Sequence, residues 1–149
     1  MLIKYNVNNK EANLMKTIIS FITGTLATTL VYFLGGYDIA LQTLIIFVVL
    51  DYITGLGKAG YHKKLNSTIG LKGIIKKVGY FVVVAVAVAL DRIAGNTGAI
   101  RTLVIYFFVA NEGISILENW GGMGLPLPQK IFDVLEQLKN ESNPKDDEN

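Results

Sequence analysis

The sequence predicts an all-α, polytopic membrane protein with about four transmembrane helices and a short amphipathic C-terminal helix. The 149-residue chain is 51% hydrophobic and only 17% charged, whereas soluble domains carry about 25% charged residues. A bilayer core is crossed by roughly 20 apolar residues of helix. Four charge-poor runs approach that length, near residues 17–34, 39–56, 78–94 and 99–117. Cysteine is absent, which excludes disulfides and thiol catalysis.

Polar segments flank these runs. Residues 1–16 are predicted to be a cytoplasmic N-terminal segment, and residues 17–117 the transmembrane domain. Within residues 118–140, a linker with Pro126 and Pro128 precedes a helical pattern of apolar residues, which are Ile131, Val134, Leu135 and Leu138. The acidic tail 141–149 is predicted to be disordered.

Lysines cluster in the connection between the second and third runs. This predicted basic loop, residues 58–77, contains Lys58, Lys63, Lys64, Lys72, Lys76 and Lys77. The other connections, Gly35–Asp38 and Gly95–Gly98, contain no Lys or Arg and are predicted to be tight turns. Short Lys/Arg-rich loops stay in the cytoplasm, so the loop and both termini are predicted to be cytoplasmic. The apolar periodicity of the basic loop indicates a helix that binds the anionic inner leaflet. The alternative is that its lysines only set the topology and have no further role.

The first run carries a row of small residues, Ser20, Gly24 and Thr28. Small residues let membrane helices approach closely. The row is therefore predicted to be a packing face, and the alternative is a face that lines water after assembly.

Charged residues inside the runs are costly in lipid and need partners or water. Asp51 and Glu112, with Asn111 beside it, lie roughly 18–20 Å from the Gly-turn ends of their helices. They are predicted to make polar contacts within or between subunits and to act in assembly; the alternative is that they reach the nearby interface. Asp91, Arg92 and Arg101 lie near the opposite boundary, where Asp91 and Arg101 are predicted to form an ion pair.

Several short motifs, in their order and spacing, resemble a known family. They are Asp51-Tyr-Ile-Thr-Gly55, Ser67-Thr-Ile-Gly-Leu-Lys-Gly73 with Lys76-Lys77, Asp91, Asn111-Glu-Gly-Ile-Ser-Ile-Leu-Glu-Asn119, and Gly124-Leu-Pro-Leu-Pro128. Together they resemble the toxin-secretion/phage-lysis holin family of Gram-positive phages. The resemblance covers roughly residues 17–140 and leaves out both ends of the chain.

The resemblance implies a protein of the bacterial cytoplasmic membrane that accumulates, forms homo-oligomers and opens lesions. Such lesions let a cytoplasmic endolysin reach the cell wall, and some relatives serve toxin release. The residues indicate no catalytic constellation, metal site, cofactor, nucleic acid or small-molecule substrate: His62 is a lone histidine, and Gly55-x-Gly57 lacks the rest of a nucleotide loop. The alternatives are a non-lytic transporter or accessory subunit and, less favoured because the charges are sparse, a membrane enzyme.

Overall fold

Every regular element in the described part of the chain is an α-helix, which confirms the predicted class. The computed structural model describes residues 2–64 and 67–142. Four helices are long and apolar enough to cross a membrane, and a shorter fifth follows. They are α1 (Leu2–Phe33), α2 (Ile39–Tyr61), α3 (Ser67–Ile93), α4 (Ala99–Gly122) and α5 (Gln129–Ser142). The chain divides into two compact units, Met1–Gly36 and Tyr37–Asn149.

The helices extend well beyond the apolar runs that predicted them. Helix α1 already begins at Leu2, inside the segment predicted to precede the first span. Helix α2 continues to Tyr61 and α3 begins at Ser67, so most of the predicted basic loop is helical. Apolarity marks only the part of a helix that lies in lipid. Lysine is itself a good helix former, and a helix satisfies its own backbone groups where the chain enters the headgroup region.

Helix α1 satisfies its own threonine hydroxyls. Thr17, Thr25 and Thr28 donate to the carbonyls four residues earlier, at 3.0, 2.8 and 2.9 Å. The predicted small-residue row lies on one exposed face of this helix, where Ser20, Gly24 and Thr28 line a shallow groove. These threonines therefore need no further hydrogen-bond partner.

The predicted tight turns are present. Between α3 and α4, Gly95, Asn96 and Gly98 have φ angles of 102°, 62° and 71°. Glycine enters this left-handed region without steric cost, and asparagine tolerates it better than most residues. The reversal therefore takes only five residues, and α3 and α4 form an antiparallel hairpin.

Helix α4 is the centre of the second unit and packs against α2, α3 and α5. It runs parallel to α2, since Arg101 contacts Asp38 at one end and His62 contacts Gly122 at the other. The tight turn between α3 and α4 makes those two helices antiparallel. The largest fully buried apolar side chains between these ends are Leu41, Leu44, Val84 and Ile105. We call the end near Asp38 the Gly-turn end and the end near His62 the Lys-rich end.

At the Lys-rich end, two glycines of α4 allow neighbouring side chains to pack directly against the helix backbone. A Cβ atom at Gly121 would lie 2.8 Å from Leu127 Cδ1, and one at Gly122 would lie 2.6 Å from Lys58 Cε. The Trp120 indole also donates to the Pro126 carbonyl at 3.2 Å. These contacts fold the proline-containing linker back onto α4, and α5 follows as the predicted amphipathic helix. The predicted disordered tail falls, from residue 143 onward, outside the described residues.

Candidate functional site within the membrane helices

Three spans meet at one buried ion-pair cluster, which we call the buried triad: Asp51 of α2, Lys77 of α3 and Glu112 of α4. The Lys77 ammonium lies 2.7 Å from Asp51 Oδ2 and forms a second ion pair with Glu112 Oε2. The side chains of Lys77, Asp51 and Glu112 are 13%, 15% and 3% exposed. One ammonium therefore links two carboxylates from different helices.

Neutral side chains complete the coordination of both carboxylates. The Asn119 amide donates to Asp51 Oδ1 at 2.9 Å and lies 3.4 Å from the Thr54 hydroxyl. The Tyr80 hydroxyl hydrogen-bonds to Glu112, and its ring stacks on Phe108 at a centroid distance of 4.3 Å. Buried charges are tolerated when they are paired and hydrogen-bonded, and both conditions hold here.

A second polar cluster, which we call the capping cluster, lies at the Gly-turn end and contains Asp38, Asp91 and Arg101. Asp91 is 2% exposed. Its carboxylate accepts from the backbone N–H of Ile100 at 3.1 Å and of Arg101 at 2.8 Å. Those N–H groups belong to the first turn of α4, which has no intrahelical partners for them. Asp91 therefore caps α4 from the end of α3.

The Arg101 guanidinium forms a bidentate ion pair with Asp38. Arg101 Nη1 lies 2.7 Å from Asp38 Oδ2, and Nη2 lies 3.1 Å from Oδ1. Asp38 also caps α2 by accepting from the Leu41 backbone N–H at 2.9 Å. The hydrogen bonds from Arg101 hold the pKa of Asp38 below its ordinary value of 3.8, against the opposing effect of burial.

This arrangement corrects the expected ion pair between the side chains of Asp91 and Arg101. The two residues do meet at the boundary, but Asp91 binds the backbone of Arg101, while the guanidinium binds Asp38. The reason is geometric: a carboxylate at the end of α3 points at the free N–H groups that begin α4. The Arg101 side chain is then directed toward α2.

The triad also corrects the assignment of Lys77 to a basic surface loop. Lys77 lies within α3, nearly three turns from its first residue, and its ammonium is buried between two carboxylates. The other predicted basic residues remain nearer the surface: Lys63, Lys64, Lys72 and Lys76 are exposed, and Lys58 is half-buried against Gly122. The surface-binding role of these five residues remains a prediction.

Arg92 and Asn111, which were also predicted to act in assembly, belong to neither polar cluster. Arg92 is exposed in the last turn of α3. Asn111 is half-buried on α4 and lines a groove between α3 and α4. Only Glu112 of the adjacent Asn111–Glu112 pair therefore belongs to the triad.

Sequence reasoning missed Asn119 and Asp38 as partners of the buried charges. Asp38 immediately precedes α2, and an Asp in that position is a standard N-cap signal. Asn119 lies two turns beyond Glu112 on α4, at a position that gave no separate signal. In the described part of the chain, no three His, Cys, Asp or Glu side chains are grouped so that they could hold a metal ion. The chemistry of both clusters is therefore electrostatic pairing and helix capping.

Comparison with known proteins identifies relatives over most of the chain. The family model described as the bacteriophage holin family matches residues 28–140. An uncharacterised 14.9 kDa protein of Clostridium perfringens is 47% identical over 130 residues, covering 85% of this chain and 98% of the relative. An uncharacterised Listeria monocytogenes protein is 40% identical, covering 77% of this chain and 86% of the relative.

A phage protein is also similar. A probable holin of Bacillus phage phi105 is 34% identical over 105 residues, covering 70% of this chain and 78% of the relative. No solved structure matches the chain. Membership of this family, together with four membrane-spanning helices, makes the chain a multi-pass protein of the cytoplasmic membrane and suggests a non-enzymatic one. On these matches, the chain belongs to the bacteriophage holin family.

Proposed function

We propose that this protein accumulates in the bacterial cytoplasmic membrane, assembles with further copies and forms lesions that release an endolysin. The observation that carries the proposal is the extent of the family match. Residues 28–140 include α2, α3 and α4 in full, with both polar clusters and nearly all of α5. The similarity therefore involves the entire packed bundle rather than one apolar segment.

The ion pairs support a chain that can reside in lipid before it assembles. Asp51 and Glu112 were expected to make polar contacts within or between subunits, and Lys77 of the same chain forms an ion pair with each of them. A charge at the centre of a membrane helix costs about 2.5–3.5 kcal/mol on insertion scales. Pairing within one chain lowers that cost, so we propose that the triad serves the folding of the single chain.

The proposed orientation in the membrane rests on the exposed lysines. Lys63 and Lys64 are exposed in the connection between α2 and α3, and Lys72 and Lys76 are exposed at the start of α3. Basic residues near the ends of spans favour the cytoplasmic side. We therefore propose that the Lys-rich end and both termini are cytoplasmic, with Lys side chains against the anionic leaflet.

Induced expression in a Gram-positive host tests the proposed lesion. The protein is expressed together with a muralytic enzyme that lacks an export signal, and enzyme activity in the medium is followed with culture density. We expect a delay, then an abrupt stop of growth and release of the enzyme. Cells with either protein alone are the controls, and the protein alone should stop growth without releasing any muralytic activity.

The size of the released molecule separates the proposal from its alternatives. A transporter or accessory subunit would leave a folded enzyme inside the cell. Retention of the enzyme at confirmed membrane levels of the protein would therefore contradict lesion formation. Replacing the enzyme by a cytoplasmic toxin distinguishes a general lesion, which releases both, from one restricted to the endolysin.

A further inference from the structure

A polar groove lies between α3 and α4 at the Lys-rich half of the bundle, lined by residues of these two helices. It has a volume of about 460 Å³. Lys76 and Tyr80 line it from α3, while Asn111, Ser115 and Glu118 line it from α4. The three α4 residues follow one another at four- and three-residue spacing, so they lie along one face of the helix.

These groove residues lack the partners that the buried triad has. In the part of the chain that the structure describes, no side chain pairs with Lys76, Asn111, Ser115 or Glu118. By helical rise, Asn111 lies about 16 Å and Ser115 about 10 Å from the end of α4 at Gly122. Polar groups at such depth in lipid are costly unless they bind each other or water. The groove residues are therefore satisfied by water or by the polar groups of a second helix surface.

The charges of the groove are complementary to themselves. Lys76 lies on the α3 rim and Glu118 on the α4 rim; measured from the Lys77–Glu112 contact, they lie about 1.5 and 9 Å toward the Lys-rich end, a difference that these two long side chains can bridge. A two-fold axis along the membrane normal keeps each residue at its own depth and brings the α3 rim of one copy to the α4 rim of the other. In such an isologous contact every pair occurs twice.

We infer that a second copy of this chain docks in the α3–α4 groove, with Lys76 of each copy facing Glu118 of the other and the Asn111 and Ser115 side chains enclosed between them. The inference rests on the proposed assembly and names the surface that makes it. Hydrogen bonds between Ser or Asn side chains of neighbouring membrane helices stabilise association. Those pairs, together with the two ion pairs, supply partners to all four groove residues.

Cross-linking in membranes tests the contact, because the chain contains no cysteine. Ser115→Cys places one thiol in the groove. Ile53→Cys is the matched control: it is 57% exposed on α2 and lies at a similar depth, about 12 Å from Tyr61. A short bismaleimide should give a dimer with Ser115→Cys and only background with Ile53→Cys. Equal yields, or no dimer with Ser115→Cys, would overturn the inference.

Charge reversal tests the pairing itself. In the Ser115→Cys background, Lys76→Glu or Glu118→Lys should lower the dimer yield about eightfold, which is about threefold for each of two average membrane pairs. The double reversal should restore it, and Lys72→Glu, one turn away and outside the groove, should change it little. A double reversal no better than the worse single variant would refute the pairing.

Membrane levels measured by immunoblot and lysis curves of the same cultures separate the two proposals. Cross-linking without enzyme release would retain the docking surface and refute the lesion. Enzyme release without groove-specific cross-linking would retain the lesion and refute this surface.

Discussion

Replacing Lys77 with Met should destabilise the folded bundle more than any change at an exposed lysine. Lys77 supplies the only cation of the buried triad, and Glu112, one of its partners, is 3% exposed in its side chain. Methionine fills a similar volume but leaves two carboxylates facing each other without a counter-charge. Breaking a buried ion pair by removing one partner costs about 3–5 kcal/mol, so a loss of this size in the free energy of unfolding is expected.

The assay is unfolding of the purified protein in mild detergent as a denaturing detergent is added. Trp120 is the only tryptophan of the chain and lies on α4 beside the linker, so its fluorescence reports the state of the bundle. Lys72→Met is the matched control, because Lys72 is exposed on the same helix. It should stay within about 0.5 kcal/mol of the native protein.

Neutralising the carboxylates distinguishes a charge effect from a packing effect. The triple variant Lys77→Met, Asp51→Asn, Glu112→Gln has no unpaired buried charge and should recover most of the lost stability, since replacing a whole buried ion cluster is often nearly neutral. The reasoning is refuted if Lys77→Met is no less stable than Lys72→Met. It is refuted equally if the triple variant is no more stable than Lys77→Met alone.

Three further predictions concern the capping cluster and the orientation. Asp91→Ala leaves two backbone N–H groups of α4 without their acceptor. It should lower the free energy of unfolding by about 2–3 kcal/mol in the same assay, with Asp91→Asn intermediate. Equal effects of the two variants would contradict the capping role of Asp91. Because the pKa of Asp38 is lowered, its ion pair with Arg101 should contribute fully at neutral pH and be lost only as pH falls below 3.8. Stability should therefore change little through this pair between about pH 5 and 8, and Arg101→Gln should remove the acid-induced loss, as unfolding curves at each pH would reveal. An impermeant maleimide added to intact cells should label Ala94→Cys but not Lys64→Cys, and the reverse pattern would invert the proposed topology.

The spans and turns could be predicted from the sequence because each has a local signal. Apolar runs of bilayer length mark α1 to α4, and Gly95 and Gly98 mark a reversal that few other residues can make. The helix ends were harder, since α2 and α3 continue through polar residues that carry no apolar signal. Lys77 was assigned to a loop for that reason.

The partners of the charges could not be predicted because they depend on how each helix is rotated. A span that is apolar all round its circumference does not reveal which face meets its neighbour. Asp51, Lys77 and Glu112 were at compatible depths, but depth alone does not place them on facing sides. The Arg101 guanidinium likewise has acceptors on both α2 and α3 within its possible reach, and only the packed structure selects Asp38.

The two polar clusters have a joint mechanical consequence. Lys77 and Asp91 are about 21 Å apart along α3, and Arg101 and Glu112 are about 16 Å apart along α4. The clusters therefore hold α2, α3 and α4 together at two different depths. A slide by one helical turn, about 5.4 Å, would break both sets of contacts at once. We expect helices fixed in this way to move as a single block, so the proposed lesion would form between such blocks rather than through the middle of any one of them.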